Sequence, residues 1–513
     1  MPRWGFTLLL AGFALFSCVA VAEGRAKAPE TAVLTFESKS GANRKVGGLY
    51  AVWSEPVSVE DLQVVRPSDR FGCTKLPRCR RCALLVQQGN CTFAQKAQRA
   101  QAAGAKLLIV VMRTSAVTMG LGAESSRELR IPALGISKGS EQKILMMGEK
   151  LTVSCTKRER SIIGDLLSEV FTGILAVSLV ALGAWYGVED LRAPSGAASS
   201  EGGKAEEIVA VEESSGLHFV LFGSLLLTVL YFFMKYLIWI LLLCFAAGAV
   251  SATAVLLEPA FASCMPNLRS KKACVIPQSL ANLLGTEREH SWTDVFSESI
   301  GIVLAVCFLI WRNNDSVGWL FQDIIAIAFL LTLQRSVRLP NLKVGCLLLI
   351  CTFFFDIFWV FLSPLIFKKS VMIEVATGGG TGQSVPMVLK IPALQNDLPG
   401  QFKILGLGDI AIPGLLVSLL LRHDIVRRHR RCRGYFLAGV IGYAFGLLAT
   451  FVSLYLMQHG QPALLFLVPG TLIPTCLIAL RKGELRELWS ASYGPDAPGD
   501  SAADAENPRS KNV

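Results

Sequence analysis

Apolar residues cluster in long runs after about residue 165, whereas the preceding part of the chain has the composition of a water-soluble domain. Each run approaches the roughly 20 residues that a helix needs to cross a hydrocarbon core of about 30 Å. We therefore predict a polytopic α-helical membrane domain at residues 165–489. The predicted membrane spans are residues 169–188, 217–233, 236–257, 297–312, 318–334, 342–367, 404–421, 435–457 and 462–480.

The polar N-terminal part has its own pattern. Leu84–Val86 and Leu107–Val111 are short apolar runs typical of buried strands, and the apolar positions of residues 91–104 between them suit a helix. This order predicts a β-α-β unit. We expect residues 23–164 to form one α/β domain.

The two ends of the chain differ from both parts. Arg3 precedes the apolar run Phe6–Val19, and Ala20-Val21-Ala22 is a small-x-small cleavage site. Residues 1–22 therefore predict a signal peptide, with an uncleaved anchor helix as the alternative. Either form places residues 23–164 in the lumen or outside the cell. Residues 490–513 lack an apolar pattern and predict a disordered cytosolic tail.

Five cysteines lie in the predicted lumenal domain: Cys73, Cys79, Cys82, Cys91 and Cys155. In an oxidising compartment most of them should form disulfides, and the odd number leaves one thiol free or linked to another chain. The pair Cys79-x-x-Cys82 could instead serve zinc or redox chemistry, but no second pair completes a metal site. Asn90 begins an N-glycosylation sequon.

The formal net charge of +11 leaves two interpretations open. A basic chain can bind nucleic acid, but in membrane proteins Lys and Arg accumulate in cytosolic loops. Six arginines lie between Arg422 and Arg433, on the cytosolic side if nine spans follow a lumenal N-terminus, whereas the 313–317 loop on the other side has no Lys or Arg. We expect a cytosolic C-terminus, a lipid bilayer as partner and no nucleic acid. His423 and His429 should be solvated among these arginines.

Two predicted spans contain an acid. Asp356 lies between aromatic residues within an apolar run, and Asp409 lies near the start of the next span. A carboxylate at membrane depth is a functional hypothesis by default. Two neighbouring carboxylates cannot both ionise readily, so one keeps a proton while the other acts as a base on a bound water. We predict Asp356 and Asp409 as the catalytic residues.

Two backbone features accompany the acids. Gly406 and Gly408 precede Asp409 without side chains, so a substrate backbone could lie against the helix there. Gln461-Pro462-Ala463-Leu464 opens the last span, and Pro462 disfavours helical geometry in the preceding residue. Unpaired backbone groups at membrane depth are tolerated only against protein or a cavity. We predict that Gly406, Gly408 and residues 461–464 bind substrate.

These elements, in this order, resemble the GxGD intramembrane aspartyl proteases. The resemblance runs through Phe355-Asp356, Gly406–Asp409 and Gln461–Leu464, and it is greatest to the signal-peptide-peptidase-like 2 group. Residues 89–104 are similar to part of a protease-associated domain. One departure concerns Phe355, because the family usually has Tyr at that position.

The resemblance implies a nine-helix presenilin/signal-peptide-peptidase-like fold and an aspartic endopeptidase without metal or organic cofactor. It implies that the substrates are type II single-span membrane proteins, often already trimmed by a sheddase. It also implies an endomembrane location, in endosomes, lysosome or vacuole, or Golgi rather than the endoplasmic reticulum or plasma membrane. Whether several copies assemble into a homo-oligomer stays open.

Three alternatives to an active protease are open. A transporter or channel can also contain paired intramembrane acids, although no inverted repeat is evident here. A sorting receptor or ubiquitin ligase with a protease-associated domain normally has one span. A protease weakened by Phe355 is the third.

Two further predictions concern the surroundings of the two acids. Residues 371–375 and 385–391 should form a hairpin around the glycine-rich turn at 378–382, with an edge that can take an unwound substrate as an added strand. Asp323 is either an acid held by a helix terminus or part of a water path.

Overall fold

The computed structural model describes residues 31–490 apart from 39–40, 52–53, 55–56, 75, 113–128, 149, 158–161, 189–208, 212–213, 266–271, 276–288, 313–316, 368–370, 372–374, 376–386, 393–401, 428–433 and 458–460. The predicted signal peptide and residues 491–513 of the predicted tail lie outside the described residues. The chain divides into two compact units. Unit 1 comprises Met1–Ser161, Asp397–Pro399 and Ala449–Gln461, and unit 2 comprises the rest.

Seven strands of unit 1 close into a barrel in the order β1-β2-β6-β5-β4-β3-β7. The strands β3 to β6 pair in parallel, and the other pairs are antiparallel. The strands are β1 Thr31–Ser38, β2 Asn43–Tyr50, β3 Val59–Val65, β4 Cys82–Gln87, β5 Leu107–Met112, β6 Ala133–Ser137 and β7 Leu151–Lys157.

The predicted β-α-β unit is confirmed, with helix α1 at Phe93–Ala102 between the parallel strands β4 and β5. A capping box starts α1: the Thr92 hydroxyl accepts from the Gln95 N–H, and the Gln95 side chain accepts from the Thr92 N–H. All six residues of β5 are buried, because one face lines the barrel interior and the other lies under α1. A second helix, α2 at Lys138–Leu145, follows β6.

Four of the five cysteines of the predicted lumenal domain form two disulfides, Cys73–Cys91 and Cys79–Cys82. The remaining thiol, Cys155 on β7, is buried and lies 3.3 Å from the Tyr50 hydroxyl. Burial raises the pKa of Cys155 above its usual value. The odd cysteine therefore serves as a core residue.

Unit 2 is built from helices. They are α3 Ile162–Tyr186, α4 Ser215–Cys264, α5 Trp292–Trp311, α6 Gly318–Ser336, α7 Leu342–Ile357, α8 Ser363–Phe367, α9 Leu407–Val426, α10 Tyr435–Met457, α11 Leu464–Lys482 and α12 Leu485–Ser490. A π-helical turn, Phe358–Leu362, joins α7 to α8. The residues of α10 from Ala449 onward belong to unit 1.

Seven helical segments in the described part of the chain are long and apolar enough to cross a membrane. Two of them, Ser215–Phe233 and Tyr236–Phe261, lie within the continuous helix α4. The segments predicted at 318–334 and 404–421 form α6 and α9 but are not among the seven. The count of nine spans therefore stays a prediction.

The helices α6 and α9 are more polar than their neighbours because they bury polar side chains against protein. Gln322 and Gln334 on α6 are each 1% exposed. The sequence placed Arg422 and His423 in a solvated loop, but both are buried within α9. Arg422 donates to the Gly187 carbonyl oxygen. The loop prediction was wrong for these two residues because it rested on charge alone, and the buried acceptor at Gly187 is distant in the chain.

Short strands complete unit 2. β8 Val209–Ala210 pairs in parallel with β11 Val337–Arg338, and β9 Lys272–Val275 pairs with β10 Glu289–Ser291. The pair of greatest interest is β12 Val388–Pro392 with β13 Phe402–Gly406, which is antiparallel.

This last pair corrects the predicted hairpin. Its first predicted strand is wrong at Val371 and Val375, which are helical and buried, and residues 372–374 and 376–386 lie outside the described part. A strand is present at Val388–Pro392, but it pairs with Phe402–Gly406, of which residues 404–406 were assigned to the following span. β-branched composition cannot tell a buried helical turn from a strand.

Candidate active site

Asp356 lies in the last turn of α7 and is 3% exposed. The π-helical turn that follows begins two residues later. Such turns widen a helix locally and are frequent at functional sites. The Trp359 indole N–H donates to the Ser224 hydroxyl on α4 at 3.2 Å, which fixes this turn against its neighbour.

The backbone N–H of Leu464 donates to Oδ2 of Asp356 at 3.2 Å. Leu464 is the first residue of α11, and the first N–H groups of a helix have no partner within the helix. Pro462 and Ala463 precede the helix and are buried. The helix therefore begins just after the proline, where its leading N–H can reach the Asp356 carboxylate.

Asp409 lies in the first turn of α9, and Gly406 occupies the N-cap position of that helix. The Asp409 carboxylate rests against Gly406, where an added Cβ would be 2.8 Å from Oδ2. At Gly408 an added Cβ would meet nothing within 4 Å. The first glycine therefore makes room for the Asp409 carboxylate, and the second leaves open space beside the helix.

The helices α7 and α9 pack against each other, and the negative charge of Asp356 acts on Asp409. Both helices belong to unit 2. The structure therefore brings together Asp356, Asp409, Gly406 and Leu464. Gly408 lies beside this group, Pro462 and Ala463 lie just before Leu464, and half-buried Gln461 precedes them in the chain.

Phe355 points its ring at α4 rather than into open space. The ring lies 6.0 Å from that of Phe219 and 6.3 Å from that of Trp359. A methyl group at Gly223 would lie 3.4 Å from Cζ of Phe355. Position 355 is therefore a packing position between α7 and α4.

Tyr443 on α10 was missed by the sequence reasoning. It is fully buried, its hydroxyl has no partner among the described residues, and the charge of Asp409 acts on it. A lone tyrosine in an apolar span gives no sequence signal. Three residues after Tyr443, at Gly446, α10 packs closely on α11, because an added Cβ would meet the Phe466 carbonyl oxygen at 2.8 Å.

Among the described residues, no group of three or more His, Cys, Asp or Glu side chains could hold a metal ion. The Cys79 and Cys82 thiols are joined in a disulfide and are not available as thiolate ligands.

The family model for signal peptide peptidase matches residues 203–494, more than half of the chain. This chain belongs to the signal peptide peptidase family. As a member, it is an integral membrane protein and an intramembrane protease. The family model for the PA domain matches residues 60–144, so the barrel of unit 1 contains a protease-associated domain.

Curated relatives extend over most of the chain. Signal peptide peptidase-like 3 of Arabidopsis thaliana is 34% identical over 438 residues, which cover 80% of this chain and 78% of the relative. Signal peptide peptidase-like 2B of Mus musculus is 34% identical over 430 residues, which cover 81% of this chain and 72% of the relative. Signal peptide peptidase-like 2 of Arabidopsis thaliana is 31% identical and covers 85% and 82% respectively.

Proposed function

We propose that this protease is an aspartic endopeptidase in which Asp356 and Asp409 hydrolyse peptide bonds within membrane-spanning segments. The observation that carries the proposal is that the two acids stand on helices that pack against each other, and that a backbone N–H holds one of them. Acids in this setting are otherwise rare, because placing one at membrane depth requires several kcal/mol of compensation.

The chemistry follows from the pair. Two close carboxyl groups share one proton, since both cannot ionise together. The ionised acid takes a proton from a water between them, and the protonated acid donates to the scissile carbonyl oxygen. The N–H of Leu464 fixes the orientation of the Asp356 carboxylate and leaves its other oxygen, Oδ1, for water or substrate.

A helical substrate hides its peptide bonds in its own hydrogen bonds, so it must unwind before cleavage. The outer edge of β13 pairs with no third strand in the described part of the chain. We propose that the unwound segment pairs with this edge, which leads directly into Gly406 and Asp409. Open space at Gly408 supports the same path.

The substrate class is proposed as type II single-span proteins, including stubs left by a sheddase. Support comes from the resemblance to the signal-peptide-peptidase-like 2 group and from the charge bias of the loops, which favours a lumenal N-terminus. The same orientation places Asn90 on the side of the membrane where glycosylation occurs, and Asn90 is solvent-exposed. We place the protein in endosomes, lysosome or vacuole, or Golgi.

The test is quantitative proteomics of membrane stubs in cells that express wild type or Asp409→Ala at matched levels. We expect type II stubs to accumulate with the variant and to disappear with wild type. Accumulation of type I stubs instead would reject the substrate class, and an unchanged stub population would reject the proteolytic assignment of Asp409.

A protease weakened by Phe355 is the second candidate. Phe355 lacks the hydroxyl of the usual Tyr, but its ring packs against Gly223 on α4 and contributes no polar atom to the acid pair. This favours an active enzyme. A transporter or channel is disfavoured by the family match.

A further inference from the structure

The strand pair β12–β13 carries the chain into the active site. Val388 pairs with Gly406, and Asp409 follows three residues after β13 ends. The Leu407 N–H donates to the Met387 carbonyl oxygen. In this antiparallel register, the main-chain N–H and C=O groups of Met387, Leu389 and Ile391 face β13. The main-chain groups of Val388 and Lys390 therefore face the opposite edge.

That opposite edge is occupied by two neighbouring side chains of α6. The Gln322 amide donates from Nε2 to the Val388 carbonyl oxygen at 2.8 Å, and the Lys390 N–H donates to Oδ1 of Asp323 at 2.9 Å. Gln322 is 1% exposed and Asp323 is 8% exposed. Gln322 supplies a donor to the Val388 carbonyl oxygen, and Asp323 supplies an acceptor to the Lys390 N–H. These are the groups that the main chain of a third strand would have supplied.

We propose that Gln322 and Asp323 are positioning residues of the proteolytic site, which close the outer edge of β12 and thereby hold β13 and Asp409 in register with the substrate. This inference rests on the proposed function. The positioning role also explains why α6 contains Asp323, with no need for that acid to carry protons along a water path. With the β12 edge closed by side chains, β13 carries the remaining edge at which a strand can add.

A positioning role and a water path that carries protons predict different substitution series at Asp323. A positioning role needs only an acceptor for the Lys390 N–H, which Asn provides through its amide oxygen and Leu lacks at similar size. A proton path needs the ionisable group itself, so Asn and Leu should then be equally damaging. Gln322→Met removes the second contact at nearly constant volume.

The first arm measures cleavage of a synthetic transmembrane peptide by purified full-length protein, with products identified by mass spectrometry. We expect Asp323→Asn to keep activity within about threefold and to give the wild-type products, whereas Asp323→Leu lowers kcat about tenfold or more, as expected for a lost charged hydrogen bond. Asp323→Leu should also yield cuts at neighbouring bonds. Gln322→Met should act in the same direction.

The matched control is Gln334→Met, the same substitution on the same helix. Gln334 is equally buried, and its amide has no partner among the described residues. The control should therefore keep wild-type products. Asp323→Leu with wild-type kcat and products, or Asp323→Asn as impaired as Asp323→Leu, would overturn the proposal.

The second arm does not depend on activity. Hydrogen exchange of the peptide covering residues 387–392 reports the Lys390 amide, which faces the edge bonded to Asp323. We expect protection in wild type and Asp323→Asn, and faster exchange in Asp323→Leu. Equal exchange in all three would reject the contact, whereas the expected exchange pattern without cleavage by wild type would count against the proposed function alone.

Discussion

The Leu464 backbone N–H donates to Asp356 Oδ2 at 3.2 Å, so the start of one helix holds the acid at the end of another. This contact gives the Pro-Ala-Leu segment a physical role. Without Pro462, α11 could extend toward its N-terminus, and the Leu464 N–H would then bond within its own helix. Pro462 therefore influences the Asp356 carboxylate by leaving the Leu464 N–H available for this hydrogen bond.

Pro462→Ala should lower kcat about tenfold, because the hydrogen bond to a charged acceptor is lost. An unchanged KM would assign Pro462 to the orientation of Asp356, whereas a raised KM would add the substrate contact predicted for residues 461–464. The measurement is steady-state cleavage of a transmembrane peptide in detergent. Pro259→Ala is the matched control, since it makes the same change inside α4. Equal kcat for Pro462→Ala and wild type would contradict the role given to the proline.

Phe355→Tyr should be tolerated, because the para carbon of the ring faces a glycine and not a side chain. Adding Gly223→Ala should harm the Tyr variant more than the wild type, since the methyl group and the hydroxyl compete for the same space. A double-mutant cycle on thermal stability and on kcat measures this coupling. Additive effects would show that the Tyr hydroxyl points elsewhere, and an inactive folded Phe355→Tyr would show that the site depends on Phe.

The domain before Ser161 should be dispensable for peptide-bond chemistry, because it contributes neither Asp356 nor Asp409. A chain starting near Ser161 is expected to cleave a short transmembrane peptide with kcat near that of the full chain. Its selectivity among protein substrates or its stability should change. A folded truncated protein that cannot cleave the peptide would contradict this expectation.

Lys96 on α1 is 1% exposed and donates from Nζ to the carbonyl oxygens of Phe71 and Gly89. Desolvation lowers its pKa from 10.5 to about 8. Between these values the unfolded chain binds more protons, so the free energy of unfolding should rise with pH across that window.

The Lys96 prediction is checked by chemical denaturation of the isolated domain, residues 23–160, between pH 7 and about 10.5. The rise should be smaller in Lys96→Met than in wild type, with exposed Lys106→Met as the control for loss of a lysine. An identical pH slope in all three would show that burial of Lys96 does not affect its proton.

Strongly periodic or apolar elements could be predicted from the sequence, since local pattern decides them. The β4-α1-β5 unit and most membrane helices are of this kind. The acids of α7 and α9 stood out because a carboxylate within an apolar run is unusual. Both the apolar pattern of an element and an acid within an apolar run can be recognised from residues that are close together in the chain.

Features that depend on distant contacts could not be predicted. The strand at Val388–Pro392 was found, but its partner was misassigned, because pairing depends on residues in α6 and β13. Arg422 and His423 were read as solvated, since their buried surroundings come from other helices. Tyr443 had no local signal at all.

The central claim is that Asp356 and Asp409 form one catalytic pair. Purified wild type, Asp356→Ala and Asp409→Ala should be compared for cleavage of a transmembrane peptide, with thermal unfolding to confirm that all three are folded. Wild type should give products cut within the apolar segment, and both variants should lose at least about a thousandfold in rate, in line with removal of an acid or base. Substantial cleavage by either folded variant would contradict the account.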